Sequence, residues 1–199
     1  MTPYTETQTM KTLLTPTQAE AIERQEDHGR QQAKAQARGI VAMVAALNCD
    51  FDRLEELKDQ YGERLSGVSD AETAEEEDEQ RARLNEWKEE NAEELAELQA
   101  AAGDCTDQDQ AREAIQEHPL SVEVRSAWDV VGGDTSPSEF RIVLCTGGPH
   151  VEIRGELDQY QQPSRAWLKY QDWGTPLTQY FDIEKNTLLE YCQQFYFGE

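Results

Sequence analysis

The sequence predicts an α+β fold in which a helical N-terminal half is followed by a four-stranded antiparallel meander with a C-terminal helix packed on it. Two observations carry this prediction. Up to residue 102, helix-forming residues dominate and apolar positions recur every three or four residues; from Pro119 onward, apolar and polar residues alternate with a period of two. The corresponding domains are a flexible N-terminus at 1–14, an acidic helical region at 15–103 and an α+β domain at 104–199.

The first helix is predicted to begin at Thr15-Pro16, because threonine caps helices and proline suits the first helical position. Its composition favours continuation to about Leu47. A second, short helix is predicted from roughly Phe51 to Tyr61, where four apolar residues share one side. Gly62 and Gly67 are expected to close it.

A long acidic helix is predicted next. The segment Ser69-Asp70-Ala71-Glu72 fits a capping box, and Gly103 is a suitable end. Residues 69–116 hold seventeen acids and four bases, a net of −13 in a chain whose net charge is −23. One side is expected to pack on a neighbour through a stripe with steps of three and four residues: Leu84, Trp87, Asn91, Leu95, Leu98 and Ala102.

Four alternating runs in the C-terminal half predict the strands, and Gly- or Pro-containing turns separate them. One face of the sheet should be apolar, and the other carries Glu and Arg that can pair across strands. Asp182 is predicted to cap the final helix, which should bury the apolar face. Phe195 and Phe197, in the aromatic ending, are expected to be docked.

The charge excludes several classes of function. A surface with a net charge of −23 repels phosphate backbones and anionic headgroups, so we expect no direct nucleic-acid or membrane partner. No apolar run approaches the roughly 20 residues of a membrane helix, and the N-terminus does not read as a secretory signal.

The cysteines and histidines are too widely scattered for a metal or redox site, so the sequence predicts no metal, no cofactor and four reduced thiols in a cytoplasmic protein. The best candidate for chemistry is the segment from Cys145 to His150, where a thiol, a glycine turn and a histidine suggest a nucleophile. The simpler interpretation is a hairpin turn between two strands. We therefore predict no catalytic residue and no enzymatic activity.

The segment from Tyr170 to Pro176 has two interpretations. Tyr170 and Trp173 suit a partner-binding loop at the end of the fourth strand. Alternatively, the segment is an irregular crossover whose Trp173 fills the edge of the core.

The acidic helix also has two interpretations, a solvated face or a nucleic-acid mimic. Thirteen carboxylates over residues 70–102, about 50 Å of helix, average about one per 3.8 Å of axis, close to the roughly 3.4 Å of axis per phosphate of one DNA strand. A basic nucleic-acid channel could accept such a helix. The candidate partner-binding residues here are Glu75, Glu76, Glu77, Asp78, Glu79, Glu86, Glu89, Glu90, Glu93 and Glu94.

The block LCTGGPHVEIRGELDQYQQPSRAWLKYQDWGTPLTQYF, with the ending LLEYCQQFYFGE, resembles uncharacterised small acidic proteins carried by bacteriophages, prophages and mobile elements of proteobacteria. The resemblance covers roughly residues 103–199. It implies a bacterial cytoplasmic setting and transfers no catalytic residue. Small acidic phage proteins of this kind include anti-CRISPR and anti-restriction proteins.

Two hypotheses of function follow. The first is a non-catalytic phage or mobile-element protein that binds and inhibits a host nucleic-acid-binding complex, either a CRISPR effector or a restriction enzyme. The second is a phage accessory or structural protein whose long helices self-associate, as a homodimer or larger oligomer. Its interface would then contain Leu84, Trp87, Leu95 and Leu98.

Overall fold

The computed structural model describes residues 16–128, 130–131, 133 and 136–198, with side chains from His28 onward. The flexible N-terminus predicted at 1–14 and the cap predicted at Thr15 lie outside these residues. In the order of the chain, the elements are α1 (Pro16–Leu47), α2 (Phe51–Ser69), α3 (Ala74–Ala102), α4 (Gln108–Glu117), β1 (Ser121–Ser126), β2 (Pro137–Cys145), β3 (His150–Leu157), β4 (Pro163–Gln171), β5 (Thr178–Gln179) and α5 (Lys185–Cys192).

This order confirms the predicted α+β class. Helices precede an antiparallel sheet, and a helix follows it. The chain forms two compact units, one comprising Ala42–Ala114 and the other the described parts of Met1–Val41 and Ile115–Glu199. The helix α1 therefore contributes residues to both units, whereas the boundary predicted from the sequence lay between 103 and 104.

In the unit Ala42–Ala114, α2 and α3 pack as an antiparallel hairpin. Asp50 caps α2 by accepting from the backbone N–H of Arg53 at 2.9 Å. The prediction that Gly62 and Gly67 close this helix is wrong, because α2 continues to Ser69. A glycine inside a helix costs only about 1 kcal/mol relative to alanine, which packing against a neighbouring helix offsets.

The start of α3 also differs from the prediction. The capping box predicted at Ser69 does not form, since that residue still belongs to α2. Thr73 caps α3 instead, and its hydroxyl accepts from the backbone N–H of Glu76 at 3.2 Å. Both segments have the S/T-x-x-E pattern, so the pattern alone does not choose between them.

The apolar stripe predicted on α3 packs against α2. Leu84 and Trp87 are buried, as are Leu54 and Leu57 on α2. The Trp87 ring lies 5.8 Å from that of Tyr61, and its Nε1–H donates to Gln60 at 3.0 Å. Toward the end of the hairpin, the partly buried side chains of Leu95 and Leu98 pack on a cluster formed by Cys49, Leu54 and Ala102.

The sheet has strand order β1-β2-β3-β4-β5, and every neighbouring pair is antiparallel. The four predicted strands are present. A fifth, β5, adds only two residues to the edge of β4. Two residues are too few for alternation to reveal a strand.

The polar face carries the predicted cross-strand ion pairs between Glu and Arg. Arg141 pairs with Glu123 and Arg125 with Glu139 across β1 and β2. Glu152 departs from this pattern because its side chain is only 1% exposed. Its carboxylate lies 2.5 Å from Arg154 Nε and 3.0 Å from His150 Nε2, so the buried charge is compensated.

The apolar face supplies the core of the second unit. The side chains of Ile142, Ile153 and Leu168 are fully buried on it. The expected docking of the aromatic ending is confirmed, since Phe197 is buried and its ring centroid lies 4.6 Å from that of Phe140.

The final helix, α5, contacts β4. It begins at Lys185 with Glu184 at the cap position, so the prediction that Asp182 caps it is wrong. Asp182 pairs instead with Arg30 of α1 at 3.3 Å.

The strand β1 contradicts the expectation that the whole apolar face is buried. Its apolar side chains align with buried residues of β2, because Val124 opposes Phe140 and Val122 opposes Ile142. They nevertheless remain exposed, as do the flanking Leu120 and Trp128. The helix reaches β4 at the far side of the sheet and leaves β1 uncovered.

Candidate partner-binding surfaces

The first run of acids on α3 does not form one face. Successive residues of a helix differ by about 100°, so the five consecutive acids from Glu75 to Glu79 point around the whole circumference. Three of them, Glu75, Glu76 and Glu77, occupy the first turn, where negative charge stabilises the helix dipole. Glu77 pairs with Arg81, and Glu79 lies 3.9 Å from Arg83. Glu76 accepts from the backbone N–H of Glu72 at 3.1 Å.

The second run does form one face. Glu86, Glu89, Glu90 and Glu93 follow steps of three, one and three residues and share the side of α3 opposite the buried Leu84 and Trp87. All four are exposed. Glu97 continues the same line and is a member that sequence reasoning missed, although its spacing of four from Glu93 could have identified it. These five residues are called the acidic stripe below.

Glu94, next to the stripe, faces α2, although its side chain is 46% exposed. Both its oxygens accept from Arg53 of α2 at 2.8 Å, and the same guanidinium reaches Glu56 at 2.9 Å. The hydrogen bonds from Arg53 lower the pKa of Glu94 below its ordinary value. This carboxylate therefore holds α2 against α3.

The geometry revises the charge density expected from the sequence. Helix α3 has 29 residues, about 43 Å, instead of about 50 Å. The stripe presents its carboxylates in one direction, and Glu75 and Glu79 of the first run share its helical phase. From Glu86 to Glu97 it spans about 16 Å, so neighbouring carboxylates are on average about 4 Å apart along the axis, still close to the roughly 3.4 Å of a DNA strand. Among the described residues, no Lys, Arg or His lies within ion-pair distance of any stripe carboxylate.

The two predicted aromatic contacts, Tyr170 and Trp173, differ in accessibility. Tyr170 is half-buried, and its ring approaches Gly29 of α1 so closely that a Cβ at that glycine would lie 3.2 Å from Cδ2. Trp173 is 71% exposed, so it does not fill the edge of the core. Its indole lies over Gly148 in the β2–β3 turn, and a Cβ there would overlap the ring.

The loop that carries Trp173 is held by its own hydrogen bonds. Asp172 is buried; its carboxylate accepts from the backbone N–H of Trp173 at 2.8 Å. Thr175 accepts from the backbone N–H of Asp172 at 2.9 Å, and Gln171 donates to the Thr175 carbonyl at 2.8 Å. His28 Nδ1 lies 3.6 Å from the second carboxylate oxygen. The indole is thus presented from a fixed loop.

The Cys145–His150 segment forms the predicted hairpin turn. The Cys145 thiol donates to the Pro149 carbonyl at 3.5 Å, and burial raises the pKa of this thiol. His150 turns to Glu152 instead. The segment therefore lacks the paired thiolate and imidazole that a cysteine nucleophile uses.

All four cysteines are unpaired thiols, and Cys49 and Cys192 are buried. Within the described ranges, no three or more His, Cys, Asp or Glu side chains converge as metal ligands would. No helix in that part of the chain is long and apolar enough to cross a membrane. The chain matches no known protein family, curated protein or solved structure at a significant level.

Proposed function

We propose that this protein is a non-catalytic phage or mobile-element protein that inhibits a host defence complex by occupying its basic nucleic-acid-binding surface. The observation that supports this most strongly is the acidic stripe, five exposed carboxylates in one line at nearly the spacing of phosphates. The partner is a CRISPR effector or a restriction enzyme, and the setting is the bacterial cytoplasm. The resemblance of residues 103–199 to proteins of mobile elements supports the same setting.

The charge of the surrounding unit favours rapid and selective association. Ala42–Ala114 holds twenty-three acids and seven bases, a net of −16 out of the chain's −23. A strongly negative body is steered toward a basic channel and repelled by other acidic proteins.

The helix that carries the stripe is fixed in place. The buried Trp87 and the ion pair between Arg53 and Glu94 fix α3 on α2, and the stripe lies on the opposite side of the same helix. A helix that is already fixed before binding loses less backbone entropy when a partner engages its side chains. Such a stripe behaves as a preformed row of anionic charges.

Trp173 supplies a second contact. Exposed tryptophans on fixed loops are frequent centres of binding energy, because a large ring is buried at little entropic cost. It belongs to the other compact unit, so its contribution is separable from that of the stripe by mutation.

The hypothesis of helical self-association finds less support. Leu84 and Trp87 are buried within the hairpin, and Leu95 and Leu98 pack on its cluster. These residues stabilise the hairpin and do not offer the exposed apolar surface that this interface requires.

The experiment is affinity capture by the tagged full-length protein from bacterial lysates that contain active CRISPR and restriction systems. Three forms are compared: the wild type, a stripe variant and a matched control. The stripe variant replaces Glu86, Glu89, Glu90 and Glu93 with Gln. The control neutralises four exposed acids on α2, on the side away from Leu54 and Leu57: Asp52, Glu55, Asp59 and Glu63, the Asp residues to Asn and the Glu residues to Gln.

Both variants lose four negative charges. A difference between them therefore reports the position of the charges on α3, and an equal effect reports the net charge of the protein. We expect the wild type and the control to capture a nucleic-acid-binding complex that high salt releases, and the stripe variant to capture at least about tenfold less. Equal capture by all three forms would reject the stripe as the binding surface. Equal loss in both variants would show that net charge alone is responsible.

A further inference from the structure

Besides the acidic stripe and Trp173, the outer edge of β1 is an exposed surface that could bind a partner. β1 is the first strand of the sheet, and no described strand pairs with its second edge. Val124 on its apolar face is 48% exposed, and Leu120 and Trp128, which flank the strand, are 62% and 104% exposed. Val124 lies opposite the buried Phe140 of β2, so the buried part of the apolar face ends at this edge.

Proteins normally protect such edges. They use prolines, lysines, inward-pointing charges or bulges to prevent another strand from pairing. Within Ser121–Ser126 there is no proline or lysine, and the two charged residues, Glu123 and Arg125, both lie on the polar face. The pairing of β1 with β2 is irregular near Ser126, and the extra residue there, Ser138, belongs to β2. The alternation of side chains between the two faces along β1 is therefore uninterrupted.

We propose that a second copy of this chain pairs with β1 as an antiparallel strand about a two-fold axis at Val124. In this register Glu123 lies opposite the partner's Arg125, and by symmetry Arg125 lies opposite the partner's Glu123. Opposite charges at such positions stabilise a strand pair. Val124 meets the partner's Val124, and Leu120 meets the partner's Trp128. One register therefore covers the exposed apolar residues and places opposite charges across the new strand pair, beside the ion pairs that Glu123 and Arg125 already make with β2.

Neighbouring registers are poorer. A two-fold axis at Glu123 would place this carboxylate opposite its own copy, and like charges directly opposite each other are destabilising. An axis at Val122 would place Arg125 opposite the partner's Pro119 and leave Trp128 beyond the paired residues. Complementarity of charge and of apolar side chains thus selects the axis at Val124.

The pairing would add the partner's β1 directly to the open edge of the sheet. Each copy has a net charge of −23, which opposes association at low ionic strength. At about 0.15 M salt the Debye length is about 8 Å, so repulsion between distant charges is screened while the direct contacts along the strand remain. Dimerisation should therefore strengthen from low to physiological salt, opposite to the salt response expected for the acidic stripe.

The test combines oligomeric state with a site-specific cross-link in the purified full-length chain. Light scattering and sedimentation at about 0.15 M salt measure the mass across a range of concentrations. In parallel, Val124→Cys and Val122→Cys are oxidised beside the wild type, which reports any coupling through the native Cys105 and Cys145. In the proposed register the two copies of position 124 face each other, so their introduced thiols are close enough to couple. The two copies of position 122 are four residues apart along the strand, about 14 Å, which a disulfide does not span.

We expect a concentration-dependent doubling of mass, a covalent dimer of Val124→Cys, and no cross-link of Val122→Cys above the wild-type level. Val124→Lys, which brings two ammonium groups together at the axis, should be monomeric while retaining the circular dichroism of the wild type. A monomer at all concentrations would overturn the proposal. So would a dimer that cross-links at position 122 but not 124, or one that is unaffected by Val124→Lys. None of these results alters the predicted effect of the stripe variant.

Discussion

Replacing Gly155 with alanine should destabilise the sheet strongly. Gly155 lies in β3 opposite Phe140 of β2 and Ala166 of β4. A Cβ at this position would lie less than 3.0 Å from two ring carbons of Phe140 and from the backbone carbonyl oxygen of Arg165. The glycine therefore lets the Phe140 ring lie flat across β3, where it reaches Phe197 and holds the chain ending on the core.

The magnitude follows from the overlap. The Cβ would lie 2.2 Å from two ring carbons of Phe140. Carbon atoms in contact prefer about 3.5–4.0 Å, so the ring would have to retreat by roughly 1.5 Å. Phe197 prevents this on one side, and a backbone carbonyl limits relief on the other. Overpacking of a core costs about 1–3 kcal/mol, and we expect the upper end or above. At about 2–4 °C per kcal/mol for a chain of this size, the midpoint of thermal unfolding should fall by about 6–12 °C.

Differential scanning calorimetry measures this shift, and Gly62→Ala is the matched control. Gly62 is exposed within α2, and a Cβ there would meet nothing within 4 Å. Alanine at this site should be neutral or stabilise the protein by about 0.5–1 kcal/mol. If Gly155→Ala unfolds within about 2 °C of the wild type, the described packing of Phe140 across β3 is incorrect.

Three further predictions concern titration and reactivity. Arg53→Gln should raise the pKa of Glu94 toward its ordinary value, because the hydrogen bonds from Arg53 that lower this pKa are lost. A carbon NMR titration of the Glu94 carboxyl measures the change in pKa. Burial lowers the pKa of His118, so the folded state binds a proton less readily than the unfolded state. Relative to His118→Gln, the wild-type free energy of unfolding should fall as the pH drops below about 6.5 and be unaffected above it, in denaturant titrations. Finally, burial raises the pKa of Cys192, and this thiol should resist a thiol reagent until denaturant is added, whereas the less buried Cys105 should be modified in the native protein.

Periodicity predicted most of the fold, because the apolar positions of each element depend mainly on local sequence. The apolar residues of α3 that include Leu84 and Trp87 were predicted in this way, as was the alternation of apolar and polar residues in β2, β3 and β4. The misses depend on tertiary contacts. The cap at Thr73 is set by where α2 ends, and β5 exists only because two residues reach the edge of β4.

The candidate site shows the same division. The acidic helix was evident from composition, but composition counts charges without direction. Only helical phase separates Glu89, which lies on the stripe, from Glu77, which does not. Only the structure shows that Arg53 holds Glu94, and that Trp173 meets Gly148, 25 residues earlier in the sequence. Pairings between distant residues are not encoded in local spacing.

The most direct measurement is competition between this protein and labelled duplex DNA for the complex isolated by affinity capture. Fluorescence anisotropy follows the bound DNA as the protein is added. If the stripe replaces phosphates, binding is mutually exclusive, and the concentration needed for half displacement rises in proportion to the concentration of DNA. The stripe variant should require at least about tenfold more protein, and the α2 control about as much as the wild type. Displacement that is independent of DNA concentration, or a ternary complex of protein, target and DNA, would contradict nucleic-acid mimicry.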